Sequence, residues 1–162
     1  MGNTIVRSQL VEVKDFLTKT SEKLETFLNT TTLASIGEGQ ETDVDYCRML
    51  LANMRRLTVH CEEGLESCHI VLQGDPFSKA AAEKTLYKIY YQVIEEFYSP
   101  KTDAWFEDSR SAYTGKNAIK YRGAAPESIK KLVQGMEADF QRIREELEYY
   151  ETDYRTKMLQ SK

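Results

Sequence analysis

Residues 126–158 read PESIKKLVQGMEADFQRIREELEYYETDYRTKM. Ile129, Val133, Met136, Phe140, Ile143, Leu147, Tyr150 and Tyr154 recur there at alternating steps of four and three, which draws one continuous apolar stripe along a helix. At 1.5 Å rise per residue such a helix runs roughly 48 Å, too long to stand alone in water, so other helices must cover its stripe.

The chain supplies three more stripes. Val6, Leu10, Val13, Leu17, Thr20, Leu24 and Phe27 repeat the same alternation, widened by Phe16, and predict a first helix from Ile5 to about Leu28. Cys47, Met54, Cys61 and Cys68 fall at sevenfold spacing among Leu50, Leu51, Leu57 and Leu65, and predict a second helix to about Gln73. Thr42, Asp43 and Asp45 supply the oxygens and negative charge that its N-terminus wants. Gly64 lies inside this second stripe at a cost of about 1 kcal/mol relative to Ala, so a neighbouring helix is expected to approach closely there. Gly74, Asp75 and Pro76 read as terminator, N-cap and first helical residue, which makes the second and third helices antiparallel neighbours. The third helix, with Leu86, Tyr90, Val93 and Phe97 on its stripe, ends at Ser99 because the residue before Pro100 is pushed away from helical geometry.

The expected fold is therefore all-α, an antiparallel up-down four-helix bundle in a single domain spanning residues 1–162. Alternating direction puts the turn at 74–76 and both termini at one end. The two long connections, 29–42 and 99–125, share the other. The third helix, about 33 Å, is shorter than the second, about 46 Å, so the second overshoots it and leaves room for the 99–125 segment. That segment has no helical period, yet it holds the only tryptophan, Trp105, with Phe106, Tyr113, Ile119 and Tyr121. Alternation over 118–122 predicts a short hairpin paired with 109–113.

Length and composition suit one core without metal or disulfide staples. Twenty-two basic against twenty-six acidic residues give a formal net charge of −4, so a polyanion partner would need a local basic patch. No apolar run reaches the length of a membrane span or resembles a secretory signal, and Val6 stands where a myristoylation motif wants Ser or Thr; the expected location is the cytoplasm, without membrane association. Three cysteines with no CxxC pair indicate reduced thiols.

The opening Met1-Gly2-Asn3-Thr4-Ile5-Val6-Arg7-Ser8-Gln9-Leu10, Ser99-Pro100-Lys101, and the run from Asp108-Ser109-Arg110 to Gly115-Lys116-Asn117 resemble an uncharacterised YpuI-like family of Gram-positive spore-forming bacteria. The resemblance implies a bacterial setting and brings no activity or site.

Candidate chemistry is sparse. Cys47, Cys61, Cys68, His60 and His69 look like a metal set, but residues seven apart on a helix are separated by about 10.5 Å, which suits core packing and not shared coordination. Glu66-x-x-His69 matches half of a di-iron signature whose second copy is absent. Glu63-x-x-Glu66 resembles the first acidic pair of all-helical nucleotide pyrophosphatases, without the later Glu-x-x-Asp; helical phase turns both glutamates outward. No catalytic residue, metal ligand or cofactor is assigned. Tyr90, Tyr91, Tyr149, Tyr150 and Tyr154 read as the rim of the core or as a partner surface, including a homodimer face.

The working surface is expected at the bundle end formed by 29–42 and 99–125. Trp105 and Phe106 either plug that end as a hydrophobic lid or present a binding surface. Arg110, Lys116, Lys120 and Arg122 carry four positive charges between residues 110 and 122, with Tyr113 and Tyr121 interleaved and no acid among them. The expected function is a non-enzymatic binding protein with a protein partner. The alternative is nucleic-acid or phosphate-ligand binding through 110–122, because Arg and Lys beside aromatic rings suit phosphates and bases. A metal-dependent hydrolase is the weakest reading. Gly115-Lys116 is not a phosphate loop, since Arg110 stands where Gly is needed and Asn117 follows the lysine.

Overall fold

The first stripe forms α1 (Asn3–Thr30), which buries Val6, Leu10, Val13, Phe16, Leu17 and Leu24 along one side. The computed structural model describes residues 2–36, 43–108 and 118–161. After a four-residue helix α2 (Leu33–Ile36), whose Ile36 is buried, α3 (Val44–Leu72) starts on an Asp43 cap whose carboxylate accepts from the Asp45 and Tyr46 amides. Then come α4 (Lys79–Ile89), a π-helical segment (Tyr90–Glu95), α5 (Glu96–Tyr98), strands β1 (Trp105–Glu107) and β2 (Ile119–Tyr121), α6 (Glu127–Glu146), α7 (Glu148–Glu151) and α8 (Asp153–Gln160). The protein is mostly helical with one small antiparallel two-stranded sheet.

Side-chain pairings give the direction of each neighbour. α1 runs against α6, Glu12 meeting Arg142 at 2.5 Å and Lys23 meeting Asp139 at 3.9 Å. α3 runs against α4 and its continuation: a Cβ on Gly64 would sit 3.1 Å from Ile89, and Arg56 lies 3.9 Å from Glu96. The same Cβ would sit 3.1 Å from Leu17 of α1, so Gly64 is where two helices close in on α3, as its place in the stripe predicts. Phe140 joins the layers, stacked on Phe97 with centroids 3.9 Å apart and edge-on to Phe16 at 4.9 Å. All three cysteines are buried among these residues.

The expected helix boundaries need correction. The third helix begins at Lys79 with Ser78 as its cap, its hydroxyl accepting from the Ala81 amide, and not at Pro76 behind an Asp75 cap. Phe77 explains the delay: it packs against the core, with the Arg7 guanidinium 5.4 Å from its ring, before the helix begins. Downstream, that helix changes to π geometry at Tyr90, and Glu96, Phe97 and Tyr98 are then buried in succession.

The final helix is three pieces, interrupted at Leu147 (φ −99°, ψ 11°) and Thr152 (φ −104°, ψ −83°). Buried Gln9 of α1 occupies the first break, donating to the Glu146 carbonyl at 3.2 Å and accepting from the Tyr150 hydroxyl at 2.9 Å. The stripe survives because Leu147 and Tyr150 both stay fully buried.

The connection over 29–42 contains α2, whose Ile36 is buried. β2 pairs with β1; residues 109–113, the expected partner, lie outside the described residues. Trp105 is a large apolar residue with an N–H to satisfy, and pairing its strand with β2 brings both ring and N–H to the core.

Candidate binding face on the hairpin

Pro100 opens a turn closed by the Asp103 amide donating to its carbonyl at 2.9 Å, with Asp103 in the left-handed region (φ 56°) that Asp tolerates better than most residues. The chain then enters β1 in the register Trp105 opposite Tyr121, Phe106 opposite Lys120 and Glu107 opposite Ile119. Two-residue alternation divides the hairpin into an inner and an outer face.

The inner face is the lid. Trp105 is 1 % exposed, donates from Nε1 to the Phe97 carbonyl at 2.6 Å, and lies edge-on to Phe97 and Tyr121. Glu107 receives a bidentate grip from Arg144 of α6 at 2.9 and 2.7 Å, and the same guanidinium lies 3.7 Å from the Tyr98 ring centroid. Glu137 of α6, buried, accepts from the Ala118 amide at 3.2 Å. From the start of α3 the Tyr46 hydroxyl donates to the Ala104 carbonyl at 2.6 Å. A Cβ at position 123 would sit 2.9 Å from the Tyr46 ring, which is why glycine leads out of β2. Burial pushes the Tyr121 and Tyr98 phenols up, with Glu137 adding to the effect at both. They act as neutral packing groups.

The outer face carries Phe106, Lys120 and Arg122. Phe106 is 37 % exposed, and the Arg122 guanidinium lies 4.2 Å from its ring centroid while binding Asp103 at 3.2 Å. Lys120, opposite Phe106, is exposed. Among the sequence-derived candidates the structure thus sends Trp105 and Tyr121 inward and gathers Phe106, Lys120 and Arg122 outside. Arg110, Tyr113 and Lys116 lie outside the described residues.

Sequence reasoning missed Tyr46, Asp103, Glu137 and Arg144. A usable signal existed for two of them. Glu137 and Arg144 are seven apart and each flanks an apolar stripe residue, so both were bound to share the helix edge that meets whatever covers α6. Asp103 and Tyr46 have partners dictated by the hairpin register and left no such mark.

Comparison with known proteins places the chain. The family described as "Protein of unknown function (DUF3907)" matches residues 10–156. The chain belongs to this family. It is also similar to the uncharacterized protein YpuI of Bacillus subtilis (strain 168), 43 % identical over 151 residues that cover 93 % of this chain and 84 % of that protein. No solved structure matches. The family setting is bacterial and names no activity, so the hairpin must be interpreted from its own chemistry. Among the described residues, no helix is long and apolar enough to cross a membrane.

Proposed function

We propose that this protein is a non-enzymatic cytoplasmic binding protein, an antiparallel up-down four-helix bundle whose working surface is the hairpin end, and that it takes an acidic protein partner there. The observation that carries the reading is the exposed Phe106 with Arg122 stacked on it and Lys120 alongside. An aromatic ring and an arginine already held in place lose little conformational freedom on docking, and both residue types are enriched where binding energy concentrates. The inner face supports this role by tying the hairpin to α3, α5 and α6 through Tyr46, Trp105 and the Arg144–Glu107 pair.

Nucleic-acid or phosphate binding through 110–122 is the second reading, favoured by the two exposed cations Lys120 of β2 and Arg122 just after it. Arg122 counts against it as the first choice: its guanidinium covers one face of Phe106, where a base would stack. Affinity capture from an extract of the host bacterium tests the proposal. A partner recovered by the native chain should be lost when Lys120→Glu and Arg122→Glu are combined with Phe106→Ser. Undiminished capture by the triple variant would overturn it. Fluorescence anisotropy with single-stranded and duplex oligonucleotides at two salt concentrations decides the second reading, which requires salt-sensitive binding.

A further inference from the structure

The π-helical segment opens a second site, away from the hairpin's outer face. Its widened turn presents the Gln92 carbonyl to α3, where it meets His60 Nδ1 at 3.0 Å. A carbonyl can only accept, so Nδ1 carries the hydrogen and Nε2 is left as an acceptor at the edge of the cleft. One turn earlier on α3 stands Arg56. These residues line a cleft of 610 Å³ completed by Lys101 from the turn after α5 and by Arg155 from α8. That volume suits a small organic molecule.

The charges of the cleft are only partly matched. Three cations, Arg56, Lys101 and Arg155, face two carboxylates, Glu95 and Glu96. Glu96 is 7 % exposed and directed into structure, accepting from the Lys101 amide at 3.0 Å with Arg56 at 3.9 Å. Burial pushes the Glu95 carboxyl up and Glu151 adds to it, while the neighbouring Arg155 draws it down. Arg155 donates to the neutral hydroxyl of Tyr91 at 3.2 Å, and among the described residues the Lys101 ammonium has no ion pair. Guanidinium and ammonium groups are donors with no acceptor, so the complementary ligand is anionic and rich in acceptor oxygens.

We propose that this cleft binds a phosphoryl-bearing small molecule, its oxygens taking Arg56, Lys101 and Arg155 beside the His60 ring. A tetrahedral dianion offers enough oxygens for donors arriving from three elements, whereas a carboxylate offers two oxygens and one charge. The Tyr91 ring beside Arg155 suits an organic group attached to the phosphate.

The chain has two histidines, and His69 is exposed near the far end of α3, so His69 is an internal reference for His60. Titration with phenyl phosphate at constant ionic strength, followed by the imidazole nitrogen signals in NMR, should shift His60 saturably and leave His69 in place. Arg56→Gln and Arg155→Gln should each weaken binding about tenfold, and the Lys120→Glu/Arg122→Glu chain should bind unchanged, which separates this site from the hairpin. Four results overturn the assignment: no saturable shift, an equal response to sodium chloride, an equal affinity for benzoate, or binding insensitive to both arginine variants.

Discussion

Replacing Trp105 by Ala asks whether the hairpin's inner face is structural. The ring is 1 % exposed, touches Phe97 and Tyr121, and its N–H reaches the Phe97 carbonyl at 2.6 Å. Truncating a buried tryptophan costs about 3–5 kcal/mol through lost burial and residual cavity. For a chain of this size that is about 6–20 °C in Tm. Trp105→Phe keeps most of the apolar volume but removes the donor, and should cost about 1–3 kcal/mol. Urea unfolding followed by far-UV circular dichroism measures both, since the tryptophan fluorescence disappears with the substitution. The Ala variant should lose more than the Phe variant, with unchanged denaturant dependence. A loss below about 1 kcal/mol in the Ala variant would refute the lid, because no well-packed indole is removed so lightly.

Arg144→Gln should destabilise the fold by about 2–3 kcal/mol in the same urea assay, because it leaves half-buried Glu107 without its bidentate partner, and Arg144→Lys should recover less than half of that; a neutral Arg144→Gln would show the pair to be incidental. Burial holds the Cys61 and Cys68 thiols up at about 12, whereas in the unfolded chain a thiol ionises near pH ~8.5, so the unfolded chain binds fewer protons between those values. These thiols therefore leave stability flat below about pH 8 and lower it as the pH rises towards 12, and Ellman's reagent at pH ~8 should titrate them only in denaturant; fast labelling of either in the native protein would contradict their burial. Gly64→Ala should stay within about 1 kcal/mol of the native chain, since gained helix propensity offsets contacts of 3.1 Å to Leu17 Cδ1 and Ile89 Cγ1, while Gly64→Leu should cost about 1–3 kcal/mol by overpacking; thermal melts of the pair decide it, and a tolerated leucine would deny the close approach.

Much of the helical framework could be read from spacing alone. The stripes of α1, α3 and α6 match the buried residues, and the sevenfold cysteines lie in the core because that interval returns nearly to the same helix face. What spacing could not show are features created by distant partners. The break at Leu147 is filled by Gln9 from the other end of the chain, and no local residue marks it. The π-helical segment leaves a spacing still compatible with an ordinary helix. In the 99–125 segment the alternation of β2 was legible, but not its pairing with β1, which is only three residues long and follows Pro100 closely, too short a pattern to read. That one register decides which candidate residues face solvent. It is why Trp105 and Phe106, adjacent in sequence, have different roles.

The account turns on the outer face of the hairpin being where a partner docks. A photoreactive benzoylphenylalanine placed at Phe106, and separately at exposed Ile70 towards the C-terminal end of α3, tests this in an extract of the host bacterium. The account predicts a discrete crosslinked partner from position 106, absent from position 70 and abolished by Lys120→Glu with Arg122→Glu. Crosslinking from position 70 alone, or from position 106 regardless of those two charges, would contradict it.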